Sequence, residues 1–249
     1  MSSLKDKVAV VTGASKGIGA GIARYLGEAG AAVVVNYASD KAGADRVVTD
    51  ITRTAGRAIA VHANVAEPAD ITRLFAETVR QLGRLDVLVN NAGVYDFRPL
   101  EDITEEHFHR QFDVNVLGLL LATKEAVKHF GPGGGSIINI GSVGGTMAPP
   151  GGSVYAASKA AVDAITRSLS KELGARNIRV NAINPGAIET EGVRSLGLLD
   201  SEMGKQMKAS IPLGRIGQPR DVAPAVGFLA SDEAAWITGE TWVIGGGMR

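Results

Sequence analysis

Short apolar runs rich in β-branched residues recur along the whole chain, and each is followed by a longer stretch with the spacing of an amphipathic helix. The runs are Val8 to Val11, Ala32 to Asn36, Ala58 to His62, Val87 to Asn90, Ser136 to Ile140, Arg179 to Ile183 and Thr241 to Ile244. They are mostly apolar on both faces, as strands buried between two helical layers must be. Helical patterns between them cover Ile18 to Glu28, Gly43 to Thr54, Ala69 to Leu82, Glu105 to Phe130, Val154 to Leu173 and Arg220 to Leu229. Parallel neighbours need a crossover, and the crossover is right-handed, so the alternation predicts an α/β fold with a doubly wound parallel sheet of about seven strands. No segment has the composition of a linker, and 249 residues suit one domain over 1–249.

Composition removes several function classes. The 26 Lys and Arg balance the 26 Asp and Glu, so no global field exists to hold nucleic acid or an anionic membrane. The absence of cysteine excludes a disulfide framework, a thiolate metal site and a thiol nucleophile. Val8 to Val11 is too short for a signal-peptide core, and no apolar run approaches the ~20 residues that span a bilayer. The expectation is a cytoplasmic protein. Glycine, at 32 of 249 residues, is nearly twice its usual share and has no Gly-X-Y period, which suggests backbone approaching something closely. Two stretches break the rhythm. Gly131-Pro132-Gly133-Gly134-Gly135 reads as a helix stop. Residues 187–218 form a long irregular insert after a strand's carboxyl end, where a substrate lid sits in such folds.

Thr12-Gly13-Ala14-Ser15-Lys16-Gly17-Ile18-Gly19 follows the first strand and opens the first helix. Glycine lets backbone approach a pyrophosphate, and the helix N-terminus offers free N–H groups and a positive dipole end. The spacing Gly-x3-Gly-x-Gly departs from the Gly-x-Gly-x-x-Gly fingerprint, but the position at the first strand-to-helix junction predicts a Rossmann-type dinucleotide site. NAD enzymes of this architecture usually place an acid at the end of the second strand to bond the ribose 2′-OH. Here the text is Asn36-Tyr37-Ala38-Ser39, with no carboxylate before Asp40. Asn36, Tyr37 and Ser39 can donate to a 2′-phosphate and Lys16 adds positive charge, so the balance favours NADP(H) over NAD(H).

Tyr155 and Lys159 lie four residues apart, on one face of a helix. Tyr37 and Lys41 share that spacing, so the spacing alone means little. The first pair has company in Ser142, which closes the fifth strand at the edge where such sheets bind ligands. A tyrosine has a pKa of ~10, so proton exchange near neutrality needs a shift of about three units, roughly 4 kcal/mol. A neighbouring ammonium and an oxidised nicotinamide both favour the phenolate.

Thr12 to Gly19, Asn90-Asn91-Ala92-Gly93, Asn115, Ser142, Tyr155, Lys159 and Pro185-Gly186 together resemble the short-chain dehydrogenase/reductase family, in order and spacing over essentially the whole chain. The resemblance implies Tyr155 as general acid/base, with Ser142 hydrogen-bonding the substrate oxygen. It implies that Lys159 lowers the tyrosine pKa and binds the nicotinamide ribose, and that Asn115 holds a water relaying protons to Lys159. It places Asn91, Ala92 and Gly93 beside the adenine ribose, with the asparagine amides bracing the central strands. Thr190 and the backbone of Ile188, after Pro185-Gly186, match positions at the carboxamide. Asn64-Val65 stands where many members have Asp-Val against adenine, a departure that changes the side-chain contact.

The reaction implied is hydride transfer between the cofactor and a ketone or aldehyde, giving an alcohol in the reductive direction. Candidate lining residues Val94, Tyr95, Phe97, Val143, Met147 and Ile188 are mostly apolar and suit a carbonyl compound of moderate size. The second strand also looks like that of glucose dehydrogenases and polyketide-type reductases, and the chain is similar to 3-oxoacyl-carrier-protein reductases. That last subgroup tends to carry a basic run before the fifth strand, where this chain has Gly133-Gly134-Gly135-Ser136, so it ranks second. A nucleotide-binding regulator or scaffold is the non-enzyme alternative. His107 and His109 point to different helix faces, so no metal site is expected. Small residues after Tyr155 and the apolar surface around Phe108, Phe112, Val116, Leu119 and Leu120 fit the homotetramer that the resemblance implies.

Overall fold

The computed structural model describes residues 3–54, 56–192 and 201–248. Seven strands form one wholly parallel sheet: β1 (Val8–Val11), β2 (Ala32–Tyr37), β3 (Arg57–His62), β4 (Val87–Asn90), β5 (Gly135–Ile140), β6 (Ile178–Pro185) and β7 (Thr241–Ile244). Their order is β3-β2-β1-β4-β5-β6-β7, so the chain winds outward twice from β1 and the switch falls between β1 and β4. Every residue of β1, β2 and β4 is buried, which explains why these strands read as continuous apolar runs without alternation.

Helices cover both faces. One layer holds α1 (Gly17–Glu28) and α2 (Lys41–Arg53), and the other holds α3 (Pro68–Leu82), α4 (Glu105–Phe112) and α5 (Gly118–Ala126). A one-turn helix α6 (Gly144–Met147) precedes α7 (Ser153–Leu173); α8 (Glu202–Ser210) and α9 (Pro219–Ala230) follow β6. Local chemistry sets the ends. Pro68 starts α3, and Gly83, at φ 86°, ends it in a left-handed turn. Thr104 caps α4 by accepting from the His107 N–H at 3.1 Å. Two cores result, one around Val11, Ile22, Val33 and Val226 and the other around Val10, Leu74, Phe75 and Ile137.

The sequence pattern from Glu105 to Phe130 suggests one helix, but the structure divides it. A π turn at Asp113–Leu117 separates α4 from α5, and α5 ends at Ala126. Asn115 lies within this π turn, and its side chain turns inward, 2% exposed, to bond the Val94 backbone and Ser158. Past Ala126 the bonds tighten, with Lys128 and His129 N–H groups donating to Glu125 and Ala126 carbonyls, before the chain reaches Gly131. In the stretch read as a lid, residues 187–192 and 201–218 contain α8 and a single bridge, Ile188 to Gly217. Val193, Leu196, Leu198 and Leu199 lie outside the described residues.

Candidate active site

A cleft of about 920 Å³ opens along the carboxyl edge of the sheet. The glycine turn forms its floor. Asn91 donates from Nδ2 to the carbonyls of Thr12 (2.9 Å) and Gly13 (3.0 Å), while Thr12 Oγ1 accepts from the Asn91 and Ala92 N–H groups at 3.0 Å. This lacing leaves no room for a side chain at Gly19, where a β-carbon would stand 2.4 Å from Asn91 Nδ2 and 2.6 Å from the Gly13 carbonyl. Gly17 differs. It has φ +58° and a β-carbon there would face Thr190 across the cleft. The Gly19 requirement is therefore set by the protein's own packing, and the part of the turn that faces the cleft is at Gly17 and the start of α1.

At the end of β2 the predicted donors separate. Asn36 lines the cleft but is 1% exposed; its Oδ1 accepts from Gly13 N–H at 3.1 Å and its Nδ2 donates to the Ala63 carbonyl at 2.9 Å. Tyr37 is 9% exposed, packs into the core with an edge contact to His62, and does not line the cleft. Ser39 and Lys16 do line it. Asp40 also faces the cleft, with one carboxylate oxygen accepting from Gly43 N–H at 2.8 Å to cap α2.

Tyr155 and Lys159, one helical turn apart on α7, both reach the cleft. Ser142, two residues beyond β5, hydrogen-bonds the Tyr155 side chain, and its Oγ also accepts from the Gly144 N–H at 3.0 Å. Burial pushes the Tyr155 phenol above its ordinary range, and the Ser142 hydrogen bond opposes that push. The Lys159 Nζ stands 6.0 Å from the tyrosine ring centroid and donates to the Ile140 carbonyl at 3.0 Å. With only 6% exposure, burial pulls the ammonium down to about 8. In the protein alone, burial outweighs the Ser142 hydrogen bond and the phenol stays above its ordinary value.

Asn115 does not line the cleft. Its Oδ1 accepts from Val94 N–H at 2.8 Å, and its Nδ2 donates to the Val94 carbonyl (2.9 Å) and to Ser158 Oγ (3.0 Å), which fixes the loop beside Tyr155. Ser15, Ile18, Asn64, Val65, Ala92, Gly93 and Thr190 all reach the cleft, and Asn64 Oδ1 accepts from Ala66 N–H at 3.1 Å. Pro185, Gly186 and Ile188 stand behind it. The Pro185 carbonyl accepts from Val143 N–H, Gly186 N–H donates to the Ile244 carbonyl, and Ile188 is buried against Gly217. On the open side Tyr95, Phe97 and Met147 are nearly half exposed, whereas Val143 and Ile188 are core residues at 6% and 8%. The Tyr95 and Phe97 ring centroids lie 6.4 and 5.5 Å from that of Tyr155.

Sequence reasoning missed His62, Arg110, Val114 and Glu191, which also face the cleft. Arg110 and Val114 come from α4 and the π turn, and no local pattern marks them; Glu191 adjoins a predicted residue. Among the described residues no group of three His, Asp or Glu is placed to hold a metal. The glycine turn at the start of α1, the cleft's length and the phenol that reaches it fit a dinucleotide laid along the sheet edge, and fold and site together define a dinucleotide-dependent oxidoreductase.

Comparison with known proteins narrows the class. A family model described as enoyl-(acyl carrier protein) reductase matches residues 13–249. An uncharacterized oxidoreductase of Methylorubrum extorquens is 56% identical over the full length of both chains. A solved short-chain dehydrogenase/reductase from Serratia marcescens superposes with a TM-score of 0.92 at 36% identity, covering 98% of each chain. The angucycline C-6 ketoreductase LanV, solved with bound NADP, gives 0.92 at 36% identity over 99% of this chain and 97% of that one. The chain belongs to the short-chain dehydrogenase/reductase family and is an NAD(P)-dependent oxidoreductase.

Proposed function

We propose that this protein is an NADPH-dependent carbonyl reductase that also runs in reverse as an alcohol dehydrogenase. One observation carries the reading: Tyr155, bonded by Ser142, opens onto the same cleft as the glycine turn, with buried Lys159 one turn away. The nicotinamide, when bound, supplies or accepts the hydride and carries the positive charge that favours the phenolate. Tyr155 gives its proton to the substrate oxygen, Ser142 orients that oxygen, and Lys159 holds the ribose and restores the proton. Asn115 fixes Val94 and holds a water on the path to Lys159. Gly13, Ser15, Gly17, Ile18 and Gly19 cradle the diphosphate, Asn64, Val65, Asn91, Ala92 and Gly93 flank the adenosine, and Pro185, Gly186, Ile188 and Thr190 bound the nicotinamide.

NADP(H) is favoured because Ser39 and Lys16 face the cleft at the end of β2 and the nearest acid, Asp40, is engaged in capping α2. Binding of NADP by the related ketoreductase LanV supports the same choice. In this reading the chain acts as one domain, residues 187–218 serve as a substrate lid, and α4, α5, α7 and the C-terminal segment Trp242 to Arg249 assemble a cytoplasmic homotetramer. No helix among the described residues is long and apolar enough to cross a membrane.

The test is NADPH oxidation, followed by absorbance, against simple ketones, α-keto esters and an acetoacetyl thioester, with glucose and NADP in reverse. Turnover of a free ketone is the expected result. Strong preference for the thioester would move the assignment to a 3-oxoacyl-carrier-protein reductase. A Tyr155→Phe variant should lose roughly 10²–10⁴-fold in kcat and still bind NADPH; retained turnover would remove Tyr155 from its role.

A further inference from the structure

Glu191 belongs to the stretch after β6, yet its side chain reaches back 174 positions to the start of α1, where Oε2 accepts from the Gly17 N–H at 2.9 Å. Among the described residues no other acid serves that helix end. Lys16 gives no side-chain cap and the first turn holds no acidic residue. The contact is a built one, because the stretch is anchored behind Glu191: Glu189 N–H donates to the Gly217 carbonyl at 2.8 Å and Gly217 N–H to the Ala187 carbonyl at 2.9 Å. A β-carbon on Gly17 would meet Thr190 Cγ2 at 3.3 Å and Glu191 Oε2 at 3.9 Å, so Thr190 and Glu191 lie directly over the cradle.

A helix N-terminus attracts anions through its free N–H groups and dipole, and one N–H group can serve only one close anion at a time. From this geometry we infer that Glu191 is an internal anion that occupies the diphosphate cradle and competes with the cofactor. Cofactor binding exchanges the Glu191 carboxylate for the diphosphate, and cofactor release lets the carboxylate return. The inference rests on the cleft being the NADP(H) site. Its consequence is quantitative: the apparent affinity is the intrinsic one reduced by the fraction of molecules whose cradle is open. A carboxylate at a helix N-terminus shifts such an equilibrium by roughly three- to tenfold.

The experiment measures dissociation constants of NADPH and of adenosine 2′-monophosphate, which lacks the diphosphate, for wild type, Glu191→Gln and Glu189→Gln, by fluorescence or calorimetry. Glu189→Gln removes the same charge two residues away, where the side chain meets Gln218. Glu191→Gln is expected to bind NADPH three- to tenfold more tightly with adenosine 2′-monophosphate unchanged, and Glu189→Gln to match wild type. The cofactor-free Glu191→Gln protein should also melt lower than wild type, with the difference vanishing at saturating NADPH. Unchanged or weaker NADPH binding in Glu191→Gln overturns the inference. So does equal tightening of both ligands, or equal tightening in both variants, since these report general charge removal. Failure of wild type to bind NADPH at all would instead overturn the cofactor reading, and the competition with it.

Discussion

The Lys159 ammonium donates to the Ile140 carbonyl at 3.0 Å, and Ser142 follows that carbonyl by two residues. The cation and the hydroxyl are thereby referred to the same strand end, and Tyr155, one turn before Lys159, is held between them. Among the described residues this cation has no carboxylate partner to offset its burial. Moving its pKa from 10.5 to about 8 corresponds to about 3 kcal/mol lost from the folded state.

Lys159→Met removes that cost while keeping the apolar stem. We predict lost reductase activity together with a melting temperature several degrees above wild type, at roughly 2–4 °C per kcal/mol. The sign with pH follows from the depressed pKa. Below about 8 the ammonium is charged in both states and the full penalty stands; between about 8 and 10.5 the folded protein has released the proton and the unfolded chain has not, so wild-type stability recovers. The gap between variant and wild type should therefore narrow as pH rises through that window, and thermal denaturation across it checks the claim. A variant that melts below wild type at neutral pH would contradict it.

Asn115→Ala should act in the opposite direction. It strips partners from the Val94 N–H and carbonyl and one from Ser158, at a site 2% exposed, where orphaned polar groups cost about 2–4 kcal/mol in all. A fall of several degrees in melting temperature is expected, with a lower kcat/KM because Val94 carries Tyr95 beside the phenol. An unchanged melting temperature would show that the clamp contributes nothing.

How far the sequence reveals this site depends on whether the signal is local. Tyr155 and Lys159 are legible because helix spacing and a strand end are both local, and the glycine turn is legible for the same reason. Asn36 is not. Its amide could as well face a ligand as a neighbouring strand, and only the pairing of β2 with β3 decides that it donates to Ala63. The π turn escapes notice because one inserted residue shifts a helical period too little to break the pattern. Arg110, Val114 and Glu191 reach the cleft through contacts between distant elements, which no window of sequence contains.

With Asn36 and Tyr37 engaged in the core, the NADP(H) preference proposed above would rest on Ser39 and Lys16. Ser39→Asp introduces a carboxylate at an exposed position lining the cleft, where it repels a 2′-phosphate and accepts from a ribose hydroxyl. The ratio of kcat/KM with NADPH to that with NADH should drop at least about tenfold. Steady-state kinetics with both cofactors measures this directly, and an unchanged ratio would place the selection elsewhere.

In the proposed reading the substrate meets aromatic rings. Tyr95 and Phe97 are 46% and 49% exposed, with centroids 6.5 Å apart and both within 6.4 Å of the Tyr155 ring, a separation at which aromatic faces attract. Two half-exposed rings beside the phenol proposed to react are suited to receive a third ring, so an aryl ketone should be preferred over a saturated one of the same size. Acetophenone and cyclohexyl methyl ketone form that pair. An aromatic contact contributes about 0.5–1.5 kcal/mol beyond area burial, so wild type should favour acetophenone by roughly two- to tenfold beyond the two ketones' intrinsic reactivity. Phe97→Leu keeps most of the apolar area and removes the ring; it should erase this preference while leaving NADPH affinity and turnover of the cyclohexyl ketone near wild type. Equal losses on both ketones would mean that Phe97 supplies bulk alone.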